Sequence, residues 1–206
     1  MKRNLMLLLV AAVLALGSPL AAATIVLNDS FESPGIVGPS FVRVPGGSTT
    51  GITSWTVTGS NVDYIGTFWT AYDGTYSVDL NGNNAGGVQQ MLTGLTPGQQ
   101  YDLSFALAGN PAGGPTVKSV LVSVGGNSQT FTFDTTGASF GSMGWIIEDL
   151  QFTADSSSML LSFSSQIAGD YGPVIDAAQV QAVPEPATLA LVGLGLLAVG
   201  LWRRKR

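Results

Sequence analysis

Between Asp63 and Gly74 the chain sets four aromatic rings, Tyr64, Phe68, Trp69 and Tyr72, among two carboxylates, Asp63 and Asp73. Flat ring faces suit the axial C–H bonds of a sugar, and carboxylates or amides suit its hydroxyls. Asp63, Tyr64, Trp69, Tyr72 and Asp73 are therefore the candidate ligand-binding residues, with Gln89, Gln90 and Asn110 as further amides. The alternative is that Tyr64, Ile65 and Trp69 fill the core of a β-sandwich, and both readings stand at this point. Trp55 alternates with Val57 and reads as core, and Trp145 also reads as packing. Tyr171, between Asp170 and Gly172, reads as an exposed loop aromatic. Asp79 reads as facing water, because Tyr76, Val78 and Leu80 take the opposite face and Asp is mostly exposed.

The composition narrows the chemistry. The chain has no His and no Cys. That removes disulfides, Ser-His-Asp and Cys-His catalysis, and zinc sites built from His or Cys. A metal would have to sit on oxygen ligands, which points to calcium. Glu148 and Asp149 are adjacent, so on a strand they face opposite sides and cannot flank one glycosidic bond. No nucleophile motif or phosphate-binding loop is visible, and the chain does not read as an enzyme. Residues 24–183 carry 12 acidic residues against only Arg43 and Lys118, a net of −10. Such a surface disfavours nucleic acid and anionic lipid, and favours cations or neutral glycans.

The elements that must position these residues have period two. Tyr101, Leu103, Phe105 and Leu107 form one stripe, and Tyr76, Val78 and Leu80 another. Val120, Val122 and Val124, then Phe131 and Phe133, then Met159, Leu161 and Phe163 repeat the pattern. Ile146, Glu148, Leu150 and Phe152 mix in a charge, and Val174, Asp176, Ala178 and Val180 read as one face. Gly/Pro/Asn clusters such as Asn81-Gly82-Asn83-Asn84 and Gly109-Asn110-Pro111 separate the runs. Many short strands with frequent turn signals predict an all-β sandwich, and no ten-residue helical pattern lies between Thr24 and Val183.

Both ends read as addresses. Lys2 and Arg3, the apolar run Leu5 to Leu16 and the small residues Ala21-Ala22-Ala23 make residues 1–23 a signal peptide. At the other end, an apolar stretch from Ala187 to Trp202 precedes Arg203-Arg204-Lys205-Arg206. It predicts a transmembrane helix over 187–202 with its basic end in the cytoplasm. Pro184-Glu185-Pro186 ahead of such a helix resembles the PEP-CTERM sorting signal, here spanning 184–206. The resemblance implies recognition of Pro184, Glu185 and Pro186 by a membrane-embedded exosortase of a Gram-negative bacterium that makes extracellular polysaccharide. It also implies transient anchoring in the inner membrane, then a place at the cell surface or in the extracellular matrix. The two prolines keep the triplet extended and accessible to a protease.

The body, residues 24–183, carries a second resemblance. Leu27-Asn28-Asp29-Ser30-Phe31-Glu32 and Gly172-Pro173-Val174-Ile175-Asp176 are similar to the opening and closing strands of galactose-binding-like jelly rolls, the fold of many carbohydrate-binding modules. Val62-Asp63-Tyr64-Ile65-Gly66, Ser77-Val78-Asp79-Leu80-Asn81-Gly82, Leu107-Ala108-Gly109-Asn110-Pro111 and Phe133-Asp134-Thr135-Thr136-Gly137 resemble the choice-of-anchor C domain, related to DUF642 proteins. The first resemblance implies a jelly-roll β-sandwich in which Glu32 and Asp176 share a structural calcium. The alternative for these two carboxylates is turn capping or pairing with Arg43 or Lys118. Two functions remain: a module that binds extracellular polysaccharide, or a structural or adhesive matrix component. A glycoside hydrolase is the outside option.

Overall fold

The computed structural model describes residues 25–36, 38–184 and Gly195. The signal peptide 1–23, the helix expected over 187–202 apart from Gly195, and Glu185 and Pro186 lie outside the described residues. Among the described residues no helix is long and apolar enough to cross a membrane.

The described residues form eleven strands: β1 (Phe41–Pro45), β2 (Thr56–Gly59), β3 (Asn61–Ile65), β4 (Ser77–Asp79), β5 (Gly86–Thr93), β6 (Gln100–Gly109), β7 (Val117–Val124), β8 (Asn127–Asp134), β9 (Ile146–Thr153), β10 (Ser158–Ser165) and β11 (Pro173–Ala182). They build a six-stranded sheet, β1-β3-β4-β11-β6-β9, and a five-stranded sheet, β2-β5-β10-β7-β8. Every pairing is antiparallel. From β4 onward the four-strand sets β4-β11-β6-β9 and β5-β10-β7-β8 are those of an eight-stranded jelly roll. The strands β1, β3 and β2 widen its edges.

Period-two stripes meet between the sheets. Leu103, Phe105 and Leu107 from β6 face Val120, Val122 and Val124 from β7 and Leu161 and Phe163 from β10, all with 0% exposure. Phe105 lies edge-on to both Phe131 and Phe163. Phe31 plugs one end against Trp55, their ring centroids 5.1 Å apart.

Two sequence readings change here. Val174, Asp176, Ala178 and Val180 do not share a face. A bulge between Asp176 and Gln179, with Ala177 at φ 46°, shifts the alternation by one residue. Asp176 therefore lies on the outer face of the six-stranded sheet, while Val180, opposite Leu103, points inward. Asp79 does not face water. Its strand is covered on both sides and it has 0% exposure, because loops lie over this end of the outer face.

Candidate functional site

The outer face of the six-stranded sheet carries a cleft of about 160 Å³. Register places its floor: Phe41 opposite Ile65, and Arg43 opposite Asp63. Phe68 and Trp69 from the loop after β3 form one wall. Asn110 and Ala112 after β6, with Asp170 and Tyr171 before β11, form the other. Phe68 stacks edge-on to Phe41 at 5.4 Å and lies 4.8 Å from Phe140.

The charges inside are already paired. Arg43 Nε donates to Asp63 Oδ1 at 2.9 Å, and Nη2 donates to Asp63 Oδ2 at 3.1 Å and to the Gly82 carbonyl at 3.0 Å. This bidentate fork fixes both side chains. Burial pushes the Asp63 carboxyl up, and its bonds to Arg43 pull it back. Asp170 remains exposed at the rim. The cleft thus presents aromatic walls, a neutralised ion pair and an amide.

The five predicted ligand-binding residues do not form one platform. Tyr64 is a correction: it has 0% exposure, stacks on Tyr76 inside the sandwich, and donates its hydroxyl to the Phe31 carbonyl. Burial pushes its pKa up to about 12. Trp69 is also a correction. Only 5% exposed, it anchors its loop by donating Nε1 to Ser77 Oγ at 2.9 Å, so it meets the cleft at an edge. Asp63 lies in the cleft but is locked to Arg43. Tyr72 is exposed and edge-on to Trp145, outside the cleft, and Asp73 is exposed beside it. Gln90 is withdrawn too, since its amide is spent on Leu27 and Ser54.

Glu32 and Asp176 both reach the loop 72–76. Asp176 Oδ2 accepts the N–H groups of Tyr72 at 2.9 Å and Asp73 at 3.0 Å. Glu32 Oε1 accepts those of Thr75 and Tyr76, both at 2.8 Å. Gly74, at φ 65°, comes so close that a Cβ there would fall 2.5 Å from the Glu32 carboxylate. The surroundings of both carboxylates are N–H donors, the polarity that suits an anion. A calcium would need oxygen ligands converging on one point, whereas Glu32 Oε1 and Asp176 are engaged by backbone N–H groups. Burial pushes Asp176 up to about 7, against its backbone hydrogen bonds and with a further push from Asp73.

Sequence reasoning missed the buried polar group behind the cleft. Lys118 has 0% exposure, and its Nζ donates to the Gly113 and Tyr171 carbonyls, both at 2.7 Å. Asp79 accepts from Asn81 N at 2.9 Å, Asn110 Nδ2 at 2.8 Å and Gly172 N at 3.2 Å. Burial nevertheless pushes it up to about 8. Asn81 Nδ2 donates to the Ile167 and Gly169 carbonyls. The sequence did hold a signal: Lys118 extends the inward stripe Val120, Val122, Val124 by one step of two.

The family profile described as "Protein of unknown function (DUF642)" matches residues 24–181. The chain belongs to the DUF642 family. A PEP-CTERM protein-sorting motif matches residues 182–205, so this DUF642 protein carries the tail of exported proteins sorted at the membrane. It is 28% identical over 190 residues to Halomucin of Haloquadratum walsbyi, covering 90% of this chain but spanning only 2% of that protein. Among solved structures it is similar to a family 35 carbohydrate-binding module from Clostridium thermocellum, with 19% identity and a TM-score of 0.47, over 70% of this chain and 100% of the module. It is also similar to the CBM22-1 xylan-binding domain of Paenibacillus barcinonensis Xyn10C, with 19% identity and a TM-score of 0.45, over 70% of this chain and 95% of that domain. TmCBM61 in complex with β-1,4-galactotriose is 16% identical with a TM-score of 0.46, over 79% of this DUF642 chain and 100% of that one.

Proposed function

We propose that this is an exported, exosortase-sorted surface or matrix protein whose cleft binds a neutral extracellular glycan without cleaving it. The observation that carries this reading is the cleft itself. Phe68, the edge of Trp69 and Tyr171 wall a hollow whose floor ion pair, Arg43 with Asp63, has no net charge. Aromatic faces gain from sugar C–H groups, and a neutral polar floor suits hydroxyls better than an ionic ligand. A larger hollow on this sheet, about 490 Å³ and lined by residues such as Asp102, Asp149, Gln151 and Gln181, has no aromatic wall. Asp63 is held by Arg43, which favours binding over acid–base chemistry on a glycosidic bond.

The tail supports the setting. β11 runs from beside the cleft at Pro173 to Ala182, roughly 30 Å at the usual rise of a strand. Val183 is pinned to the sandwich through Gln100 and Gln99, so the sorting triplet starts one residue beyond the folded body. A chain tethered there holds its cleft away from the tether. A second reading, a purely structural matrix component, draws on the burial of Tyr64 and Trp69.

The test is a binding screen of the full chain, purified in detergent, against soluble neutral galactan, xylan and glucan. Tyr171→Ala, at a half-exposed position, should weaken binding about tenfold or more, a loss of about 1.4 kcal/mol. Absence of binding to any of them would favour the structural reading.

A further inference from the structure

Tyr171 stands in the loop between β10 and β11, outside any strand pairing, yet nearly every polar atom around it is engaged. Its ring rests on Gly113: a Cβ added there would fall 2.2 Å from Tyr171 Cδ2. The Gly113 and Tyr171 carbonyls share one donor, Lys118 Nζ. On the other side of the same peptide unit, Gly172 N–H donates to Asp79 Oδ1. The peptide joining Tyr171 to Gly172 thus has its carbonyl on an amine and its N–H on a carboxyl group, in line with its own dipole. Asn110 closes the set, its N–H donating to the Gly172 carbonyl at 2.9 Å and its Nδ2 to Asp79.

Lys118 and Asp79 are both fully buried, and no direct bond joins them. Burying two ionisable groups apart is costly, and packed apolar residues would be cheaper. What the two groups have in common is the backbone of residue pair 171–172. We propose that Lys118 and Asp79 form a buried clamp on the Tyr171–Gly172 peptide that sets the Tyr171 ring against the cleft, making both of them positioning residues for ligand binding. The clamp's purpose rests on the glycan reading above, but its existence can be tested without any ligand.

Hydrogen exchange on the full chain in detergent reads the clamp directly. Lys118→Met keeps the apolar stem and removes the donor. It should speed exchange of the hydrogen-bonded amides of Asn110, Ala112 and Gly172 by about tenfold or more, leaving those of Phe105 and Leu161 unchanged. Should that variant fail to fold, Asp79→Ala, which removes the acceptor of the Gly172 N–H, carries the same expectation. Unchanged exchange in the two loops, or an equal rise throughout the sandwich, would overturn the proposal. In binding to whichever of galactan, xylan or glucan the parent protein takes, Lys118→Met should cost nothing further once Tyr171→Ala is present, because both act through one ring. An additive loss would also overturn it. Failure of the parent to bind any of the three removes the glycan reading and leaves the exchange result to decide the clamp.

Discussion

The outer face of the six-stranded sheet has two ends built from the same strands with opposite character. At the tail end, Asp102, Ser104, Asp149, Gln151, Gln179 and Gln181 line an open polar hollow. At the cleft end, Asp79 and Asp176 lie on the same face, as the register from Val174 to Asp79 shows, but both are fully buried. Strand alternation alone would make these two ends alike. What separates them is cover: the loops 66–76, 109–115 and 166–172 close over the cleft end, and none of them extends over the tail end. A carboxylate under such a cover needs donors, and at the cleft end backbone N–H groups supply them. In this fold the polar residues beneath the loops shape those loops, while Asp149, Gln151, Gln179 and Gln181 on the open strands are exposed to water.

That contrast can be broken by substitution. The largest effect expected is from Lys118→Ala, which removes the donor of the Gly113 and Tyr171 carbonyls and leaves a cavity where a fully buried side chain stood. It should cost about 3 kcal/mol in denaturant unfolding. Asp149→Ser at the tail end should leave the unfolding midpoint unchanged. Equal effects at the two ends would mean that loop cover is not what distinguishes them.

A pH series sharpens it next. Burial raises Asp79 to about 8 and Asp176 to about 7, whereas the unfolded chain ionises its carboxyls near 4. Between those values the folded state holds protons that the unfolded state has released, so stability should fall as pH rises from about 5 to about 8. Each pH unit in that window removes up to about 1.4 kcal/mol per carboxyl still protonated only in the folded state, and Asp176→Asn should flatten the profile in part, leaving the share of Asp79. Lys118, lowered by burial, acts with the opposite sign, but only between its depressed value and the ordinary lysine range. A profile that rises through the window would contradict the burial of these carboxyls.

The smallest effect concerns the pair first read as calcium ligands. Glu32→Ala should loosen the 72–76 loop and cost about 1 kcal/mol through its two lost backbone bonds. Adding calcium or EDTA should leave the thermal midpoint where it was. A rise of several degrees with calcium would show that Glu32 and Asp176 accept a cation that their present N–H partners disfavour.

Much of the architecture was legible in advance. The stripes of β6, β7 and β10 were visible because one face of each is buried and period two follows from the pleat. β5 was not visible as a strand, because Gly86 and Gly87 carry no side-chain signal and Gln89 and Gln90 break the alternation. The site was less legible. Asp63, Asn110 and Tyr171 were picked out by type, and all three line the cleft. Tyr64 was misassigned because a Tyr hydroxyl satisfied by a carbonyl buries as readily as a Phe. Asp79 and Asp176 were misjudged because nothing local marks a strand covered on both faces, or a bulge at a non-glycine residue.

The order of residues by itself determined a cysteine-free, histidine-free, acidic β-body set between two addresses, since composition and alternation depend on no distant contact. Only the tertiary structure decided which carboxylates meet amide donors, that Lys118 reaches the Tyr171 loop, and which aromatic rings remain in reach of a ligand. Those outcomes depend on loops from three separate stretches converging on one sheet end, and residue spacing along the chain carries no record of which loop covers which strand.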